Sequence, residues 1–116
     1  MSSSWSIGLA LISKGKQHML FAIFFTDKPD LSHVRAANLQ AHIEWLEKNK
    51  EFIPVGGSLR SEPQAAPKGG LWIAQAESKA QLEALIQTDP FFVAGLRQSY
   101  EILHWSKANP ERQALI

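Results

Sequence analysis

The sequence predicts an α+β domain in which the elements run β-α-β-β-α-β and the strands form one antiparallel sheet. Three observations carry that expectation. Residues 19–25 are an unbroken apolar run with three phenylalanines, which wants both faces covered and so belongs in the middle of a sheet. Two stretches, one around His42 and one around Leu82, repeat apolar side chains at helical spacing. Pro54 sits inside the second β-like run, where its missing N–H confines that strand to an edge.

The first strand closes at Thr26-Asp27-Lys28-Pro29-Asp30, and either Asp30 or Ser32 is suited to cap a helix running through His42 to about Asn49. Projected at about 100° per residue, Leu39, Ile43 and Leu46 lie to one side of His42, Trp45 and Val34 to the other, and Arg35 one repeat behind it. His42 is therefore expected at the centre of the buried face. Residues 52–55 read as the edge strand, with Gly56-Gly57-Ser58 directly after it, and residues 60–70 read as a loop. Residues 71–76 are the third strand. Ser78 and Gln81 form a capping pair for a second helix that buries Leu82, Leu85 and Ile86. Asp89-Pro90 starts a helical turn over 90–94 that ends at Gly95, and residues 99–105 are the last strand. This order is the split β-α-β arrangement of ferredoxin-like folds, with the first and third strands central. Both helices cover one face, so the other face is expected to pack on a second sheet.

With 116 residues the chain holds one core. The expected organisation is an N-terminal arm or leader over 1–18, the domain over 19–106 and a tail over 107–116. An alternative for the arm is an extra strand over 7–12, turned by Lys14-Gly15-Lys16. The mostly apolar stretch from Trp5 to Ile12 is too short to cross a bilayer and lacks the features of a signal peptide. A net charge of +1 with scattered basic residues suggests no nucleic-acid or membrane partner. Cysteine is absent, which excludes disulfides and thiolate chemistry and fits a reducing, cytoplasmic setting.

The chain resembles the YCII-related family over about residues 19–106. The resemblance rests on Thr26-Asp27-Lys28-Pro29-Asp30, on a helix bearing Arg35 and His42, on the Gly56 region, on Gly70-Leu71, and on Thr88-Asp89-Pro90-Phe91-Phe92-Val93-Ala94-Gly95-Leu96. It implies a homodimer whose two ferredoxin-like sheets pack as an α/β barrel, and a histidine with an aspartate as catalytic centre. By position that histidine is His42; the aspartate is Asp89 first and Asp27 second. Arg35 and Ser58 are the corresponding candidates for substrate binding. Relatives often carry an arginine three positions before the histidine, but here that position is Leu39. One branch of the family dehydrochlorinates a chlorinated aromatic intermediate, and the fold is shared with muconolactone isomerases and cofactor-free monooxygenases.

Each candidate also has a structural reading. Asp89 before proline is a good N-cap, Asp27 ends a strand, Arg35 can snorkel to solvent, and Trp72 and Trp105 suit a core or an interface. His18, His33 and His104 have no pair spacing with His42 that makes a metal site, so neither metal nor cofactor is expected. Two function classes are open. One is a small enzyme in which His42 and an aspartate perform acid–base chemistry, as a lyase, dehydrohalogenase or isomerase, on an aromatic-derived or carbonyl metabolite. The other is a dimeric small-molecule-binding or accessory module that keeps the same cavity without catalysis.

Overall fold

The computed structural model describes residues 18–111. The proposed N-terminal arm, apart from His18, and the end of the tail lie outside the described residues. Four strands, β1 (Met19–Asp27), β2 (Val55–Leu59), β3 (Gly69–Ala76) and β4 (Arg97–His104), form one antiparallel sheet in the order β2-β3-β1-β4. The apolar run of β1 is therefore central, between β3 and β4, and β2 is an edge.

Three helices, α1 (Ser32–Lys48), α2 (Lys79–Ile86) and the single turn α3 (Pro90–Val93), complete the fold. Phe21, Ile23 and Phe25 of β1 join Trp72, Ala74 and Ala76 of β3 and Ile102 of β4 in the core beneath Leu82 and Ile86 of α2. Fully burying each large apolar side chain contributes about 1.5–3 kcal/mol. The alternate positions of β1 face the other way, and Phe24 there is 43% exposed. No helix among the described residues is long and apolar enough to cross a membrane.

Several local expectations shift. The second strand begins at Val55 instead of Phe52, because the chain leaves α1 through Asn49, whose carbonyl accepts from Phe52 and Ile53 and holds them in a turn. Pro54 thus precedes the strand, and Gly56-Gly57-Ser58 lies within it. The N-cap of α1 is Leu31, without a side-chain cap bond. Asp30 stands in the left-handed region at φ 63° and turns the chain ahead of the cap position, while Ser32 is already the first helical residue.

Other signals hold as read. Ser78 Oγ accepts from the backbone N–H of Gln81 at 3.2 Å, and Gln81 Oε1 accepts from that of Glu77 at 2.8 Å. Gly95 ends the α3 turn at φ +84°, a conformation that a Cβ disfavours.

Candidate active site

His42 is the one buried residue of α1. Ile43, expected on the same buried face, is 49% exposed, and Leu39 is exposed as well. The reason is that Leu39, Ile43 and Leu46 border an open pocket of about 230 Å³ with His42 on its lining. The turn before α3 is tied to α1 by the Trp45 indole, which donates to Thr88 Oγ1 at 3.0 Å.

That turn delivers Asp89 to the histidine. As the extended N-cap residue of α3, Asp89 accepts from the Phe91 N–H through Oδ1 at 3.1 Å, and the same oxygen lies 2.6 Å from His42 Nδ1. Asp89 is 0% exposed, and its Oδ2 has no hydrogen-bond partner among the described residues. A carboxylate in this position is an acceptor, so it fixes the tautomer in which Nδ1 carries hydrogen and Nε2 carries the lone pair. No hydrogen bond from the described residues reaches Nε2, and the ring lines the pocket. Phe91 closes one face of the imidazole, stacked at 3.9 Å between centroids and 12° between planes.

A second polar cluster stands beside this pair. Asp27 occupies the inward position that comes after Phe25 on β1, and it accepts from Arg35 Nη2 at 2.6 Å through Oδ2 and from Arg97 Nη1 at 2.8 Å through Oδ1. Arg35 is thus half-buried in an ion pair and does not snorkel to solvent. Asp27, the second aspartate considered from the sequence, makes no bond to His42; the carboxylate brought to the imidazole is that of Asp89. Ser58 lies on the pocket lining, and its Oγ accepts from Arg60 Nη2 at 2.8 Å.

Arg97 was not singled out from the sequence, and a β-bulge explains why. Thr26 pairs with Ser99 but Asp27 pairs with Arg97, so Gln98 is an extra residue in β4 that reverses the alternation set by Ile102 and Tyr100. The bulge turns Arg97 inward, where it is 7% exposed and lies 4.3 Å over the Phe25 ring and 5.2 Å from that of Phe91. Burial pushes its pKa down, opposed by the hydrogen bond and charge of Asp27. Gly70 lies under its fork: a Cβ there would be in ordinary contact with both terminal nitrogens at 3.5 Å, and the tighter approach, 3.1 Å, would be to the Gly57 carbonyl oxygen.

A larger recess of about 320 Å³ lies over Lys28, Pro29, Ser32 and Lys68, and it shares Arg35 and Pro67 with the pocket but does not reach His42. The His42 ring therefore opens on the smaller one. Among the described residues no group of three or more metal-ligating side chains occurs.

The comparisons with known proteins agree with this architecture. The model of the YCII-related domain matches residues 19–106. Among solved structures, the chain is similar to the 5-chloro-2-hydroxyhydroquinone dehydrochlorinase of Burkholderia phenoliruptrix in complex with 2,5-dihydroxybenzoquinone. That likeness has 33% identity and a TM-score of 0.69, over 76% of this chain and 94% of that one. A candidate antibiotic biosynthesis monooxygenase from Bacteroides thetaiotaomicron matches at 15% identity and a TM-score of 0.53, over 85% of this chain and 97% of that one, a likeness of fold alone. No curated protein matches. With its family model matched across the whole of the sheet and helices just described, the chain belongs to the YCII-related family.

Proposed function

We propose that this chain is a small acid–base enzyme in which His42 Nε2 moves a proton on an aromatic-derived or carbonyl-containing molecule held in the pocket, with Asp89 as its partner. One observation carries the reading: the imidazole is bonded through Nδ1 to a buried carboxylate at 2.6 Å, while its other nitrogen is left without a partner among the described residues on a pocket wall. Nε2 takes the proton from an O–H or C–H of the substrate. The imidazolium so formed is stabilised by Asp89 and held in plane by Phe91. The electron pair left on the substrate delocalises into a carbonyl or ring. It then forms a new π bond as a leaving group departs with the electrons of its own C–X bond, giving net loss of HX, or it collects the proton back at another atom, giving an isomer. Neither route needs an oxidant or reductant.

The reading includes a homodimer through the sheet face opposite the helices, supported by the exposure of Phe24, Leu59, Leu103 and Trp105 on or beside it. It also has a direct starting point in the similar dehydrochlorinase, whose substrate and complexed quinone are small oxygenated rings. The test is to incubate the protein with 5-chloro-2-hydroxyhydroquinone under anaerobic conditions and follow chloride release, alongside a thermal-shift screen of hydroxyquinols, enol lactones and 2,5-dihydroxybenzoquinone. Ligands that bind only the folded state raise its melting temperature. Enzyme-dependent chloride release, or turnover of any ligand the screen finds, supports the reading; ligands that stabilise the fold but are never turned over favour a binding module.

A further inference from the structure

Resting on the pocket of His42 being the substrate site, we propose that it selects a small planar molecule bearing an anionic oxygen, a carboxylate or an enolate, held where Arg35, Arg60 and Arg97 converge. All three arginines line the pocket, and they reach it from α1, from the end of β2 and from the bulge of β4. Among the described residues Asp27 is the one carboxylate bonded to them, and it is shared between Arg35 and Arg97. Their end of the pocket therefore holds more positive charge than its own side chains neutralise.

Arg97 shows the deficit most plainly. Its side chain is almost wholly buried, and only Nη1 is bonded to Asp27; Nε is buried without a partner, and Nη2 has no hydrogen bond among the described residues. A planar fork with unused donors in a site of low dielectric matches an oxyanion better than a neutral group, because an anion adds charge–charge attraction to the hydrogen bonds it accepts from the guanidinium. Arg60 adds a third guanidinium, aimed by Ser58 Oγ at 2.8 Å and the Ala65 carbonyl at 3.3 Å. Farther along α1 from Arg35 the lining is apolar, made by Leu39, Ile43 and Leu46. One end cationic and one side apolar, in about 230 Å³, describes a ring-sized anion.

The test compares charged and neutral partners of the same shape by isothermal titration: benzoate against benzamide, and 1,3-cyclohexanedione, an enolate at neutral pH, against its enol methyl ether. At least one anion should bind wild type about tenfold or more tightly than its neutral partner, the factor that a single charged hydrogen bond supplies. The two pairs separate a carboxylate from an enolate as the preferred form. Arg97→Gln, and independently Arg60→Gln, should reduce that preference, whereas His42→Gln should keep it. Arg60 is exposed, so its variant decides the matter should Arg97→Gln not fold. Equal affinity within both pairs, including no binding by any of the four, overturns the proposal, and so does a preference that survives in every folded arginine variant. Turnover plays no part in this measurement, so its failure is distinct from failure of the His42 chemistry.

Discussion

Asp89 Oδ1 accepts two hydrogen bonds at once, from the Phe91 N–H that opens α3 and from His42 Nδ1, so one oxygen caps a helix and holds the imidazole. Two substitutions separate the roles. Asp89→Asn keeps an acceptor for the cap but removes the charge, and is expected to stay near wild-type stability while lowering turnover by about tenfold or more. Asp89→Ala removes both and should cost at least ~1 kcal/mol in denaturant melts. Wild-type turnover in Asp89→Asn would remove the carboxylate from the chemistry.

Asp27 serves a different purpose, as counter-ion to Arg35 and Arg97. Asp27→Ala leaves a buried guanidinium without its partner, for which a loss of about 3–5 kcal/mol is expected by chemical denaturation. Asp27→Asn should lower stability as well, yet reduce turnover per folded molecule less than Asp89→Asn does. The reverse ranking would make Asp27 the more important carboxylate for catalysis.

The close approach of β3 to β1 depends on Gly69, where a Cβ would stand 2.0 Å from the Phe25 carbonyl oxygen. Backbone cannot yield as a side-chain tip can, so Gly69→Ala should cost about 3 kcal/mol, at the upper end for overpacking. Gly57 on the edge strand has nothing within 4 Å of the same added atom, and Gly57→Ala should stay within ~0.5 kcal/mol of wild type. Matched melting curves of the two variants would show whether the β1–β3 spacing is set as described.

Tyr100, the chain's one tyrosine, packs 5.9 Å from the Phe25 ring, and burial, with Glu83 nearby, raises its pKa above 10.0. The folded chain holds the phenol proton more tightly than the unfolded one. That contribution to stability is full below the unfolded pKa of about 10 and is lost as pH rises through the folded value. Tyrosinate absorbance should titrate above 10 in native protein and return to the ordinary value in denaturant.

How far these features were legible depends on what each residue touches. The central place of β1 followed from its apolar run, and the Asp89-Pro90 cap from local turn chemistry. Both are set by residues within a few positions. His42 could be placed on a helix, but periodicity could not show that Leu39 and Ile43 beside it border open space instead of core. That depends on how α1 sits relative to β2 and β3. Arg97 was hidden by the bulge at Gln98, since strand alternation counted from Ile102 points it outward. Nothing in a lone arginine announces such a break. Nor did Asp27 reveal its two guanidinium partners, one of them 70 positions away.

The sheet face opposite the helices gives a prediction about assembly. Covering it with a second copy should bury about 800 Å² per chain, so sedimentation at micromolar concentration is expected to give twice the chain mass. A monomer at tens of micromolar would show that this face is used otherwise.

Whether His42 transfers the proton is decided by kcat for His42→Gln on whichever substrate the wild type turns over, with binding of that substrate measured in the same preparation. Glutamine preserves a hydrogen-bonding side chain against Asp89 but cannot act as a base at neutral pH. The variant is expected to fold, to bind the same substrate and to be slower by roughly 10²- to 10⁴-fold. A folded variant that binds the same molecule and turns it over at the wild-type rate would contradict it.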